Sequence, residues 1–198
     1  PKSSFEISEC VKIANKFNRY IVARGAGTGL SGGAIPLKDS IVITLTKLNK
    51  IIEIDEINHI AIVEPGVVNI ELSEMVKDKG LFFAPDPSSQ KSCTIGGNVA
   101  ENAGGPHCLK YGVTTNHVLG MEVVLEDGSI VELGGYPEAQ PGYDLRGAFV
   151  GGEGTLGIAT KILVRLSRNP LITRTFMAIF TDLDAASTAV TQIIGARI

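Results

Sequence analysis

Behind Ser3 and Ser4, apolar residues at Ile7, Val11, Ile13, Ala14 and Phe17 recur at helical spacing and predict an amphipathic helix with a serine hydroxyl at its start. Tyr20 to Ala23 predicts a short buried strand, and Ile41 to Leu45 another. Between them Arg24 to Gly33 is a glycine cluster, and Pro36 bars a helix directly after it. Two β-branched runs, Ile51 to Ile54 and Ile60 to Glu64, flank a polar DEINH stretch and predict a hairpin closed by the Pro65-Gly66 turn. Asn69 stands where a helix cap belongs, ahead of the stripe Ile70, Leu72, Met75 and Val76, and Gly80 is a natural C-terminal stop.

The pattern lapses from Ala84 to Gly112, a stretch of Pro, Ser, Gly and Asn that is too long for an idle connection and is expected to be functional. It resumes in a second hairpin, Val118 to Leu125 and Ser129 to Leu133 about the Asp127-Gly128 turn, and in a strand from Ile158 to Leu166. After Arg168-Asn169-Pro170 a strand from Leu171 to Phe180 and a helix from Asp182 to Ile194 are predicted. One strand and one helix bury no core of their own. The expected division is therefore a domain over residues 1–168 and the first elements of another over 169–198, in a piece of a longer protein whose initial strand lies before Pro1.

At 198 residues and 44% hydrophobic the chain is long enough to bury a core, which excludes disorder. Lys+Arg 18 against Asp+Glu 21 gives a net charge of −3 with no basic run, so no nucleic-acid partner is expected. Apolar runs such as Ile60 to Val63 fall far short of the ~20 residues of a membrane span, and no signal peptide is read at the start. Cys10, Cys93 and Cys108 form neither a CxxC nor an even set, which suits a reducing, cytoplasmic setting. What departs from the ordinary is glycine: 23 residues, gathered in clusters.

Gly27-Thr28-Gly29-Leu30-Ser31-Gly32 spells GxGxxG after a strand, but a Rossmann unit needs a helix next, and Ala34-Ile35-Pro36 leads to a strand. The GxSxG from Gly29 through Ser31 to Gly33 fails as a nucleophile elbow for the same reason. So many glycines imply backbone N–H groups brought close to something, and a nest of such donors suits phosphate. Thr94-Ile95-Gly96-Gly97-Asn98, Asn102-Ala103-Gly104-Gly105 and Gly151 to Gly157 repeat the theme without the GK[ST] of a P-loop. Together they suit a long diphosphate-bearing ligand contacted along its length. His59, His107 and His117 have no metal-ligand spacing, so no metal site is expected; His107 carries some weight because it lies in the long loop.

Taken together, RGAGTGLSGG, APDPSSQKSCTIGGNVAENAGGPHCLKYG, LGMEVVLEDGSIVELGG, PGYDL and FVGGEGTLGIATK resemble the FAD-binding domain of the glycolate oxidase flavoprotein subunit and its D-lactate dehydrogenase relatives, flavoproteins of the vanillyl-alcohol oxidase and p-cresol methylhydroxylase type. The resemblance implies an α+β domain of two subdomains with FAD between them, followed by a cap domain at whose start this sequence stops. It would place Gly25, Ala26, Gly27, Thr28, Gly29, Leu30 and Ser31 around the pyrophosphate, with Thr28 and Ser31 as hydroxyl donors. Pro85, Asp86, Ser88 and Ser89 with Thr94, Ile95, Gly96, Gly97 and Asn98 would line the ribityl and flavin side, and Asn102, Gly104, Gly105, Tyr111 and Gly112 would complete that wall. Glu153, Gly154, Thr155, Gly157 and Ile158 would hold the adenosine end. At Gly96, Gly97, Gly104, Gly154 and Gly157 a Cβ is expected to displace the cofactor.

By the same resemblance the chemistry is hydride removal from the α-carbon of a 2-hydroxy acid to flavin N5. The catalytic base and any metal would come from the cap, so no catalytic residue is assigned. The first glycine loop has no histidine, which predicts non-covalent FAD, with His107 the alternative attachment point. A redox subunit as electron acceptor would allow membrane association through that partner. Two other readings stay open on the same fold: a reductase of the type that makes UDP-N-acetylmuramate, and a non-catalytic flavin or nucleotide carrier.

Overall fold

A computed structural model describes residues 1–135 and 142–196. The first helix, α1 (Ser4–Lys16), starts where the serines predict: the Ser3 hydroxyl accepts from the Glu6 amide at 3.2 Å. Ile7, Val11 and Ala14 are buried while Ile13 and Phe17 are exposed, so the packed stripe is narrower than the periodicity suggests. Strands β1 (Ile21–Arg24) and β2 (Ile41–Thr44) pair in parallel, and the glycine cluster lies in the crossover between them. α1, β2 and the following Leu45 and Leu48 share a small core with Ile7 and Val11.

β3 (Ile51–Asp55) and β4 (Ile60–Val63) form the expected antiparallel pair. Their connection is the polar stretch itself, in which Asp55 accepts from the amides of Ile57 and Asn58. Pro65-Gly66 lies at the opposite end and closes nothing. Its Gly66 amide donates to Leu48 O at 2.6 Å, and a methyl group there would meet the carbonyls of Leu45 and Leu48.

Helix α2 (Asn69–Met75) is too short to be stable alone and is held by Leu72, which is wholly buried. Met75 faces solvent. Asn69 is its first residue rather than its cap, because the side chain is drawn inward: Nδ2 donates to Pro85 O at 2.9 Å and to Asn98 Oδ1 at 2.8 Å. A 3-10 turn follows, and Gly80 stops it in the left-handed conformation, φ 68°.

After β5 (Leu81–Phe82) the stretch expected as one loop contains α3 (Ile95–Glu101) and α4 (Cys108–Tyr111). β6 (Val118–Val124) and β7 (Ile130–Gly134) make the second hairpin about Asp127-Gly128 as predicted. α5 (Leu145–Phe149) precedes β8 (Ile158–Arg165), and β9 (Ser167–Arg168) pairs with β5. Pro141 of the PGYDL motif lies outside the described residues.

Five strands form one antiparallel sheet in the order β3-β4-β8-β6-β7. Its inner face packs Val63, Val123, Ile162 and Val164 against α2, α3 and α5, and full burial of such side chains stabilises by roughly 1.5–3 kcal/mol each. The strand predicted at Leu171 to Phe180 does not form: those residues have no paired neighbour among the described strands and are exposed throughout. The helix after it does form, as α6 (Leu183–Gly195) capped by Asp182, with none of its residues buried.

Candidate functional site

The parallel pair and the five-stranded sheet are separated by a trough of 470 Å³, a size ordinary for a small-molecule site. α3 runs along it. The sequence gives that helix little local support, since Gly96 and Gly97 are poor helix formers, and its N-terminus is fixed instead by tertiary bonds. Ile95 N donates to Val67 O at 2.9 Å, Gly96 N to Pro65 O at 2.8 Å, and the Thr94 hydroxyl accepts from Gly97 N at 3.4 Å.

The first glycine loop lies lengthwise on α3. Gly25 abuts Thr94 at the start of the helix, whereas a methyl group on Gly29 would stand 3.0 Å from Glu101 Oε1 at its end. From Gly25 to Gly33 no backbone amide donates to another protein atom among the described residues. A row of N–H groups with no protein acceptor, on an exposed loop along a trough, suits an extended anion, because such backbone donors can converge on its oxygens. The Ser31 hydroxyl is directed at Glu101, which accepts its hydrogen bond, while Thr28 is exposed in the trough wall.

The third glycine loop behaves differently. Gly151 N donates to Val99 O at 2.8 Å and Glu153 N to Ala100 O at 2.9 Å, so this loop ties off the last carbonyls of α3. Thr155 is exposed and closes a local turn, its amide and hydroxyl both donating to Gly152 O. Glu153, with φ 50°, and Gly154 line the trough, and Gly157 and Ile158 close its end.

The structure brings together Gly25 through Ser31, Ser88, Ser89, Thr94, Gly96, Gly97, Asn98, Glu153, Gly154, Gly157 and Ile158 as trough lining. It sets others elsewhere. Ile95 is wholly buried in the main core. Pro85 is buried and gives its carbonyl to Asn69, and Asp86 pairs with His107, Oδ2 to Nδ1 at 2.5 Å. Asn102 ends α3 in the left-handed conformation, and its Oδ1 accepts from Thr115 N at 2.9 Å. Gly104 packs on Val113 and Cys108, Gly105 on Asp86, and Gly112 ends α4 with φ 85°. Tyr111 stacks edge-on to Phe82 at 5.4 Å. These residues shape the long segment rather than face the trough.

The glycines expected to clear space for a ligand also divide. A methyl group on Gly96 would come within 2.6 Å of Pro65 Cβ, on Gly104 within 3.1 Å of Val113, and on Gly157 within 2.7 Å of Val124 O, so these three make room for protein. On Gly97 it would meet only Thr94 Oγ1, at 3.5 Å, and on Gly154 nothing within 4 Å. Arg24, Pro87, Cys93, Glu101 and Phe149 line the trough without having been singled out. Arg24 adjoins the glycine cluster and was open to notice; Glu101 reaches the site only because α3 carries it there.

Fold and site together define an α+β nucleotide-binding domain, with a cradle of backbone donors lying between two sheets. The sequence pattern described as FAD binding domain matches residues 1–134, and the chain belongs to that family, in its p-cresol methylhydroxylase type. It is 46% identical over its whole length to glycolate oxidase subunit GlcD of Bacillus subtilis, covering 42% of that protein. The GlcD of Escherichia coli is 42% identical over 98% of the chain, which covers 39% of it. D-2-hydroxyglutarate dehydrogenase of Stutzerimonas stutzeri is 39% identical over 86% of the chain, with 37% of that protein covered. Among solved structures, alkyldihydroxyacetonephosphate synthase superposes on the whole chain with a TM-score of 0.84 at 25% identity, the chain covering 36% of it. The chain thus spans about two fifths of the length of these relatives. No helix among the described residues is long and apolar enough to cross a membrane.

Proposed function

We propose that the trough holds FAD non-covalently and that the whole protein is a flavin-dependent dehydrogenase or oxidase of a small 2-hydroxy acid, of the glycolate or D-lactate type. The observation that carries the cofactor assignment is the row of unpartnered amides from Gly25 to Gly33 along α3, which offers donors where a diphosphate needs acceptors satisfied. Ser88, Ser89, Gly97 and Asn98 then flank the ribityl and flavin part, and Glu153, Gly154, Gly157 and Ile158 the adenosine, with the Glu153 carboxylate accepting from ribose hydroxyls. Residues 1–168 are the FAD-binding domain, and residues 169–198 begin a cap. Bound there, the flavin would supply the acceptor for the hydride of the substrate α-carbon. This chain's part is to hold it still and present one face.

Non-covalent attachment fits the lining, which among the described residues has no histidine and one thiol, Cys93, 4% exposed and accepting from Asn98 Nδ2 at 3.3 Å. His107, paired with Asp86, is not part of it. The relatives named as glycolate oxidase subunits support a partner subunit. In our reading that partner accepts the electrons, and the protein is cytoplasmic and associates with a membrane through it.

Titration of the refolded apoprotein with FAD, FMN and riboflavin tests the site: FAD binds tightest, and equal affinity for FMN removes the adenosine assignment. Acid precipitation gives a colourless pellet and a yellow supernatant. For the whole protein, anaerobic bleaching of the flavin band by D-lactate or glycolate, and by neither primary alcohols nor amino acids, checks the substrate class.

A further inference from the structure

The trough contains one side chain whose charge the assignment above leaves unexplained. Arg24 closes β1 and is exposed, and it is the one cationic residue among the described trough lining. Two carboxylates, Glu101 and Glu153, line the same cavity, and a guanidinium in such company ordinarily pairs with one of them. It does not: among the described residues Arg24 makes no ion pair and donates no side-chain hydrogen bond.

Instead the guanidinium is folded back over its own loop. A methyl group on Gly27 would stand 2.8 Å from its Nη2, 2.9 Å from Nε and 3.2 Å from Cζ, so the planar group lies against the backbone of Gly27, itself held at φ 72°. The guanidinium therefore lies on the same stretch as the unpartnered amides. The two carboxylates stand further along the loop: Glu101 meets Gly29 and Ser31, and Glu153 Oε2 lies 3.8 Å from a methyl position on Gly33. Charge along the trough thus runs from positive near Gly27 to negative near Gly29 to Gly33.

We propose that Arg24 is the counter-charge of the cofactor's diphosphate and sets its register along the trough, a reading that rests on the FAD assignment above. A guanidinium and a row of N–H groups share the job that suits them, binding a doubly charged, oxygen-rich group, since charge-assisted hydrogen bonds from a planar fork are the stronger kind. The carboxylates oppose a diphosphate that slides toward Gly33 and instead accept from the hydroxyl-bearing ribose. Gly27 suits this place because its backbone is held at φ 72°, where a side chain is strained, and without one the guanidinium can lie against it.

The test compares the 198-residue chain with its Arg24→Gln and Arg24→Lys forms, binding FAD and riboflavin at low and at high salt, followed by flavin fluorescence. FAD binding by the wild type weakens as salt rises. Arg24→Gln weakens FAD at low salt by at least about tenfold, or about 1.4 kcal/mol, and flattens the salt dependence, while Arg24→Lys recovers part of both. Riboflavin, which has no phosphate, binds all three alike, and the apoproteins melt alike because Arg24 has no partner to lose. FAD affinity within twofold of wild type with the same salt slope overturns the proposal. So does an equal loss for riboflavin, which would make Arg24 a shaper of the loop. A wild-type chain that binds riboflavin and FAD equally and without salt dependence rejects the cofactor assignment itself.

Discussion

At Gly96 and Gly97, neighbours in the first turn of α3, the same missing side chain serves different surroundings. Gly96 lies against Pro65, so Gly96→Ala forces 2.6 Å contacts inside the protein and costs about 1–3 kcal/mol of overpacking. Gly97 faces the trough, where a larger side chain touches little protein and gains slightly in helix propensity. Gly97→Val should therefore leave the melting temperature of the apoprotein nearly unchanged and abolish FAD binding, while Gly96→Ala should lower that temperature by about 2–10 °C before any cofactor is added. Differential scanning fluorimetry of both apoproteins, with and without FAD, separates them; a Gly97→Val apoprotein that melts as early as Gly96→Ala contradicts the assignment.

Between β6 and the end of α4 the contact is made by a histidine. His117 is buried, its Nε2 at 2.8 Å from the Tyr111 carbonyl, and burial, aided by Arg165, holds its imidazole below the ordinary histidine range against the opposing pull of that carbonyl. Above the unfolded value of about 6.5 both states are neutral and the full stability is present. As pH falls below it, the unfolded chain takes up a proton that the folded chain refuses, and stability declines until the lower folded value is reached. Melting temperatures measured from pH 7.5 to 5 should fall more steeply for the wild type than for His117→Gln; parallel curves would show that His117 is not the group responsible. This residue shows the limits of reading elements from pattern. The Asp127-Gly128 hairpin was legible because alternation and turn chemistry agree within one short window. α3 was not, since two glycines inside IGGNVAE deny it local propensity and its first N–H groups are satisfied by Pro65 and Val67, about thirty residues back in the chain. The strand predicted at Leu171 to Phe180 failed for the converse reason: its apolar residues were legible, but among the described residues no strand pairs with it. For the site, the glycine loop announced itself, whereas which glycines face the trough and which face protein depends on Pro65, Val113 and Val124, contacts that no spacing records.

For the molecule as a whole, packing ends near Asn169, whose amide donates to Gly80 O at 2.8 Å, and no residue from Leu171 to Ala196 is buried. Removing everything after Pro170 should shift the melting temperature by no more than about 2 °C and leave FAD affinity intact, as expected of exposed segments. Calorimetry of the shortened chain checks this, and a larger drop would extend the domain past residue 168. The order of strands has a different consequence. β8 is the last long strand to be made, yet it occupies the middle of the sheet, with Ile60 of β4 facing Arg165 on one side and Val124 of β6 facing Ile158 on the other. A ribosome that has delivered residues 1–134, the stretch matching the family pattern, has released two finished hairpins and withheld the strand that joins them. Until it emerges, β4 and β6 each present an unpaired apolar edge, the kind of surface that recruits other nascent chains. Residues 1–134 expressed alone should accordingly elute as aggregates rather than as a monodisperse, cooperatively melting species, because the slot between β4 and β6 stays open until the chain's own later residues fill it.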